Sequence, residues 1–428
     1  MSRTMKNSGI PWLKDIPLNW DVERGKNVLV LQKRPVRDND EVVTCFRDGE
    51  VVLRNLRRVE GFTMSDKEIG YQGINQGDIV IHGMDGFAGA MGVSKSTGKG
   101  SPVLVVCTPK YDAIPQYLIY YLRALAITDV FVALATGIRE RSCDLRWNKI
   151  SELEFILPPS SEQHLIATFL DKKCSEIDSL IDLQEQMIEE LKAYKQSVIT
   201  EAVTKGLNPN VPMKDSGILF VDKIPSHWKE TKTLRLLEIP ITDGPHETPE
   251  GLDIGIPFIS ADAVSDGYIN FDNKWGYISQ AYYEECCKKY IPQKYDIYMI
   301  KSGASTGRTA IVETDELFTI WSPLAVFRAN ANIILPYFLL YVLRSDCYQK
   351  QVESKWTYGT QQNIGMRVLE KLIVSYPPIS EQQAIADYLD KKCGEIDELI
   401  TIKQQKIESL KEYKKSVIYE YVTGKREV

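Results

Sequence analysis

Two stretches of the chain, residues 158–206 and 377–425, carry apolar residues that recur seven positions apart. In the first, Leu170, Ile177, Leu191 and Val198 fall on one set of positions, with Leu180, Met187 and Tyr194 between them and Ile181 and Ile188 widening the stripe. In the second, Leu389, Ile396, Leu410 and Val417 repeat the set, with Leu399 and Tyr413. Such a stripe predicts a long amphipathic helix that must be buried against another helix. Because the two stripes are alike, each helix is a natural partner for the other; a plain dimerisation coil is the simpler alternative. Pro158-Pro159 and Pro377-Pro378 end whatever precedes each helix. Ser160 or Ser161, and Ser380, are expected as N-caps, with Gln383 completing a capping box. Gly394 marks an expected weak point in the second helix. Gln184 and Lys403 interrupt the stripes at equivalent positions, either to set register or as tolerated polar residues. At 1.5 Å per residue, some 45 residues make a spacer of roughly 65 Å.

Ahead of each helix the pattern shortens. Gly77–His82 and Tyr295–Ile300 are apolar runs that read as buried strands. Gly-rich loops follow at 83–89 and 302–308. Strands at Val103–Cys107 and Ala325–Phe327 come next, then helices at Gln116–Ala126 and Tyr337–Leu343. The apolar stretch Tyr117–Ala135 is broken by Arg123 and Asp129 and falls short of a membrane span, which needs ~18 unbroken apolar residues. Met1–Trp12 has no apolar segment of a secretory signal.

The two halves are copies. Pro-Pro-x-Ser-Glu-Gln opens both helical segments, Asp-Lys-Lys-Cys recurs at 171–174 and 390–393, and Leu-Lys-x-Tyr-Lys-x-Ser-Val-Ile recurs at 191–199 and 410–418. The modules repeat only faintly: Ser8-Gly9-Ile10 with Ile16-Pro17 and Trp20 against Ser216-Gly217-Ile218 with Ile224-Pro225 and Trp228, Asp78 against Asp296, Ser101-Pro102 against Ser322-Pro323, and Leu122-Arg123 against Leu343-Arg344. The helices stayed alike while the modules diverged, which suits the reading of two separate sites better than a single reaction.

Composition narrows this further. A chain of 428 residues can bury two or three cores. A net charge of −6 argues against nonspecific coating of nucleic acid but leaves local basic loops open. The eight cysteines include no CxxC pair, and His82, His164, His227 and His246 are too scattered for a zinc site. Reduced thiols in a cytosol are the expectation.

The Gly-rich loops lack the lysine and spacing of a phosphate-binding loop; their glycines allow tight turns and close approach to a ligand. Loops ahead of the last strand of each module, 137–142 and 358–363, carry Arg139 and Arg141 in one and Thr360, Gln361 and Gln362 in the other. Arg can bond guanine bidentately, and Gln or Asn adenine, in the major groove. Arg54, Arg57, Arg58, Lys95 and Lys99, and in the second module Lys301 and Arg308, are candidate phosphate contacts, and Ser305 is a further DNA-binding candidate. His82 and His246 are candidate DNA-contacting or structural histidines. Each of these also reads as solvated surface. His82 with Asp85, or His246 with Asp243, could belong to an enzyme of unknown type, though nothing fixes a nucleophile. An adaptor with two protein-binding modules on a helical stalk is the rival from another class.

On the Pro-Pro-x-Ser-Glu-Gln helices ending in Tyr-Lys-x-Ser-Val-Ile, the Ile-Pro-x-x-Trp module openings, the stretch Thr242–Pro249 and the Gly359-Thr360-Gln361 loop, the whole chain resembles the specificity subunits of type I restriction–modification systems. The resemblance implies an α+β fold: two mixed α/β target-recognition domains with pseudo-twofold symmetry, separated by an antiparallel coiled coil of two long helices. The expected boundaries are 1–157 and 208–376 for the recognition domains, and 158–207 and 377–428 for the helices. It further implies binding of double-stranded DNA with a bipartite target, docking of two methylation subunits, and recruitment of motor–nuclease subunits. S-adenosylmethionine, ATP and magnesium would belong to those partners and no cofactor to this chain. Module one departs from the family loop, with Gly137-Ile138-Arg139 in place of Gly-Thr-Gln. No Asn/Asp-Pro-Pro-Tyr/Phe motif, Walker A loop or compact acid–lysine nuclease signature is present, in keeping with a non-catalytic role.

Overall fold

The computed structural model describes residues 3–57, 69–133, 145–358 and 362–428. Arg58, Arg139, Arg141, Thr360 and Gln361 lie outside the described residues. The chain forms two compact units, Met1–Glu185 with Gln404–Val428, and Gln186–Lys403.

In the first unit the elements run β1 (Met5–Ile10), β2 (Leu13–Pro17), β3 (Asp21–Arg24), β4 (Leu29–Leu31), β5 (Ile79–His82), β6 (Met91–Val93), β7 (Leu104–Pro109), α1 (Pro115–Ile127), β8 (Glu154–Leu157) and the long α2 (Ser160–Lys205), with smaller pieces between. β5, whose Ile79, Val80 and Ile81 are all buried, is an inner strand of an antiparallel sheet ordered β4-β7-β5-β6. Leu104 pairs with His82, and Ile79 with Val93. β3, which follows the β1-β2 hairpin, pairs antiparallel with β8, the last strand before α2.

The second unit holds β9 (Met213–Ile218), β10 (Val221–Pro225), β11 (Lys229–Lys232), β12 (Thr242–Asp243), β13 (Gly267–Tyr268), β14 (Ile297–Ile300), β15 (Thr309–Ile311), β16 (Leu324–Phe327), α3 (Pro336–Arg344), β17 (Ile373–Tyr376) and the start of α4 (Ile379–Val422). Its sheet is ordered β12-β16-β14-β15-β13, so β16-β14-β15 repeats β7-β5-β6, and β11 pairs with β17 as β3 does with β8. The predicted strands and helices of both modules are all present. α1 and α3 each start on a proline, whose fixed φ suits the first helical position.

Each long helix gives its first half to one unit and its second half to the other. In the first unit, Val417, Ile418 and Val422 of α4 join Ile166, Leu170, Cys174 and Ile177 of α2 in one core with Trp20 and Tyr117. In the second, Ile199, Ala202 and Val203 of α2 join Ile385, Leu389 and Cys393 of α4 with Trp228 and Phe338. The helices run antiparallel in both: Lys414 Nζ lies 2.6 Å from Asp178 in the first unit, and Lys195 Nζ lies 2.9 Å from Asp397 in the second. These are the same pair in the two copies.

The repeated motifs explain themselves here. The glutamate of Pro-Pro-x-Ser-Glu-Gln accepts the indole N–H of the module's opening tryptophan, Glu162 from Trp20 at 3.0 Å and Glu381 from Trp228 at 3.1 Å. The glutamine is buried and bonds on both sides. Gln163 accepts the Ile114 N–H ahead of α1 and donates to the Pro158 carbonyl, both at 2.9 Å. Gln382 does the same for Leu335 and Pro377, both at 2.8 Å, and donates to Ile333 as well. The aspartate of Asp-Lys-Lys-Cys accepts a tyrosine hydroxyl at 2.7 Å, Asp171 from Tyr120 and Asp390 from Tyr341. All of these residues seat a module on its helix.

Three expectations about the helices change. The serines are not N-caps: the Pro159 and Pro378 carbonyls accept the first helical bonds, Ser160 donates instead to the Asp112 carbonyl, and Gln383 donates to Asp387, not back to the cap. Gly394 does not interrupt α4. Leu180, Tyr194, Leu399 and Tyr413 are exposed rather than in the seam, because a nearly straight helix drifts about 20° per heptad from a strict seven-residue repeat. Of the stripe-breaking pair, Lys403 bonds the Met187 sulfur at 3.4 Å.

Candidate nucleic-acid interface

In the second module four chain segments meet at one end of the sheet. The Lys301 N–H, just after β14, donates to the Pro323 carbonyl at 2.7 Å; its own carbonyl accepts from Ile364 at 2.9 Å. Gly303 donates to the Gln362 carbonyl, and Ser322 to the Pro245 carbonyl, each at 3.0 Å. The Gly-rich loop, the loop before the last strand and the Thr242–Pro249 stretch are thus joined through backbone, and Lys301, Ser305, Arg308, Gln362 and His246 lie on them. Gly244 is required: a Cβ there would overlap the Ile320 carbonyl oxygen.

Beneath this cluster lies Asp243, 1% exposed. Lys289 pairs with one carboxylate oxygen, and Lys301 Nζ lies 3.1 Å from the other. His246 Nε2 stands 3.5 Å from the same carboxylate, and its Nδ1 is 2.9 Å from the Ser322 hydroxyl. Burial alone would push the Asp243 carboxyl up, but the two lysines outweigh it and hold it below the ordinary carboxylate value. Arg308 is exposed at the loop's end. Ser305 is half-buried, and its carbonyl accepts from the Arg308 N–H at 3.1 Å.

The first module builds the same frame with other side chains. Gly83 stands where Lys301 does: its N–H donates to the Val103 carbonyl at 2.9 Å, and its carbonyl accepts from Leu145 at 2.8 Å. His82 Nδ1 accepts the Asp85 backbone N–H at 3.0 Å, and Arg47 pairs with the Asp85 carboxylate at 2.8 Å. Burial pushes the His82 imidazole down, against the pull of Asp85. With one ring nitrogen occupied by a backbone donor, His82 is poorly placed as a general base.

Of the other basic candidates of module one, Arg54, Arg57, Lys95 and Lys99 lie elsewhere. Arg57 pairs with Asp48 and with Glu50 at 3.2 Å, Lys95 reaches the same Glu50 at 3.0 Å, and Arg54 donates to the Thr44 hydroxyl at 3.2 Å. Lys99 lies on the strand Gly98–Gly100, paired with Gln72–Ile74. The structure does not bring them into the His82 loop.

Two features went unread in the sequence. Lys289 arrives from the end of a helix, Gln280–Cys287, more than forty positions from Asp243, and no local pattern points to it. Asp266 also escaped: Lys195 Nζ lies 3.0 Å from it and Arg344 2.5 Å, with Gly267 at φ +93 against the guanidinium. Its counterpart Asp48, followed by Gly49 at φ +92 against Arg123, is taken by Arg57 instead. The Asp-Gly dipeptides at 48–49 and 266–267 are turn signals that could have flagged both. Among the described residues every cysteine is free, no group of three or more His, Cys, Asp or Glu could hold a metal ion, and no helix is long and apolar enough to cross a membrane.

Comparison with known proteins agrees over nearly the whole length. A family model described as the type I restriction modification DNA specificity domain matches residues 246–424. A putative type I restriction enzyme MjaX specificity subunit from Methanocaldococcus jannaschii is 25% identical over 96% of this chain and 94% of its own. The MjaVIII specificity subunit of the same organism is 26% identical over 96% and 93%. Among solved structures, a chain from a study of assembly and conformational transition of the type I R-M system superposes with a TM-score of 0.72 at 16% identity, covering 96% of this chain and 99% of that one. The HsdS subunit from Thermoanaerobacter tengcongensis gives 0.52 at 16% identity. With its duplicated helices and paired modules, the chain is similar along nearly its whole length to specificity subunits of type I restriction enzymes.

Proposed function

We propose that the two modules, residues 1–157 and 208–376, each read one half of a bipartite sequence in double-stranded DNA, and that the helical segments 158–207 and 377–428 hold and present them. The observation that carries this is the pairing of one framework with two unlike loop clusters: Lys301, His246, Arg308 and Gln362 on one, His82 and its neighbours on the other. A frame kept constant while its tips change gives two independent specificities. Base-reading by Arg139, Arg141, Thr360 and Gln361, and backbone contacts by Arg54, Arg57, Arg58 and Lys95, belong to the same reading. So do Ser305 and Lys301 at the second cluster.

The subunit itself is non-catalytic. Two methylation subunits, carrying S-adenosylmethionine, would modify adenine at the chosen site, and motor–nuclease subunits using ATP and magnesium would cut DNA. Each unit offers the same exposed apolar set for such partners: Leu180, Leu183 and Tyr413 in the first, and their repeat equivalents Leu399, Ile402 and Tyr194 in the second. Exposed apolar residues set close together mark interaction surfaces.

The test is a module exchange. Coexpressed with its methylation subunit, the chain should direct methylation to a two-part motif. Replacing residues 17–157 with another module should change one half of that motif and leave the other. Methylation unaltered by the exchange would refute the reading.

A further inference from the structure

The stretch Thr242–Pro249 stood out in the sequence, and DNA reading alone leaves its buried aspartate unexplained. Asp243 receives Lys289 from the helix end, Lys301 from the Gly-rich loop and His246 from its own loop. A buried carboxylate needs one cation to offset its desolvation. Here two are supplied, so Lys289, Lys301 and Asp243 together keep one net positive charge. An anion completes it.

The site is open on the side where that charge lies. Lys289 is 48% exposed and His246 71%, while Lys301 is 13% exposed and Asp243 is sealed beneath. The outward groups are chiefly donors: two ammonium groups, with the Ser322 hydroxyl tied to the imidazole at 2.9 Å. Ammonium donors suit phosphate oxygens, which only accept, better than a base edge, which presents both donors and acceptors. Lysine binds phosphate as a compact point charge. Its flexible stem is the weakness of such a contact, and a shared counter-ion cures it by holding both ammonium groups in place before the ligand arrives. Gly244, pressed on the Ile320 carbonyl, fixes Asp243 in turn.

We infer that Lys289 and Lys301 form a site for one DNA phosphodiester on the second module, with Asp243 as its positioning residue. This rests on the DNA-reading function proposed above and adds the ligand group, an unforeseen lysine and the role of the buried aspartate.

The experiment uses the full chain assembled with its methylation subunits and DNA duplexes carrying the methylated motif or one altered half-site, with affinity measured across a salt series. In the wild-type complex log K should fall steeply with log salt. Lys289→Ala should weaken binding to all duplexes alike and reduce that slope by about 0.9, the value for one phosphate contact; Lys289→Arg should restore it. Asp243→Asn frees both lysines without removing charge from them, so the slope should persist while preference for the correct second half-site falls at least tenfold and the first is unaffected. Thermal unfolding checks that Asp243→Asn is folded; if it is not, the Lys289 variants, at an exposed side chain, decide alone. A steep wild-type slope unchanged by Lys289→Ala overturns the phosphate site. A folded Asp243→Asn complex with full half-site preference overturns the positioning role. A wild-type complex with no salt-dependent, sequence-dependent binding overturns the DNA-reading function itself.

Discussion

Lys195 of α2 lies 2.9 Å from Asp397 of α4, and the repeat places the same bond between Lys414 and Asp178. The copies are not equal. Lys195 is 10% exposed and also holds Asp266, whereas Lys414 is more open and Asp48, the counterpart of Asp266, is turned to Arg57. Lys195→Met should therefore cost more, about 1 kcal/mol, since it breaks two ion pairs at a largely buried ammonium while Asp266 keeps Arg344. Lys414→Met should cost under about 1 kcal/mol, as for an exposed pair. Thermal unfolding of the two single variants checks the ranking; equal losses would contradict it.

Gln382 satisfies the Leu335 N–H and the carbonyls of Pro377 and Ile333 from a buried position. Gln382→Ala should destabilise the second unit by about 2–3 kcal/mol, the cost of buried polar groups left unpaired. Gln382→Glu should not rescue it, because the donor is gone and a charge is buried in its place. Hydrogen exchange at the start of α3 reads the effect locally.

Gly206 ends α2 at φ +73, and a Cβ there would stand 3.0 Å from the Glu381 carboxylate that holds Trp228. Gly206→Ala should cost about 1–2 kcal/mol from the left-handed backbone alone. Denaturant unfolding should show a lower midpoint at unchanged slope.

The carboxyls of Asp243 and Asp266 both sit below their ordinary value of 3.8. At each, burial opposes the shift and neighbouring cations overcome it. Groups depressed on folding stabilise the protein fully above their unfolded value, and that contribution is lost as the pH falls through the folded values, here below 3.8. Acid unfolding followed from pH 6 downward should steepen in that window, and Asp243→Asn should flatten it.

Leu180→Glu in the first unit or Leu399→Glu in the second should leave the isolated chain folded, since both side chains are already exposed, and should each lose one of two methylation subunits from the purified complex. The double variant should retain neither. Mass measurement of the complexes distinguishes these outcomes.

The sequence by itself determined what depends on near neighbours and on copying. Heptad spacing located α2 and α4, short apolar runs located β5 and β14, and the matched motifs disclosed the duplication, because each signal lies within a few residues of itself. The tertiary structure decided what depends on approach from afar. The glutamine and glutamate after the paired prolines were legible only as a repeated motif; the fold gives them their partners, Ile114 for Gln163 and Trp228 for Glu381. The seven-residue stripe looked wholly buried, but drift and the seated modules leave Leu180 and Tyr194 in the open. Lys289 and Asp243 meet only because a helix end and a strand end converge on one sheet edge. An ion pair's partner is fixed by the fold, and no spacing along the chain encodes it.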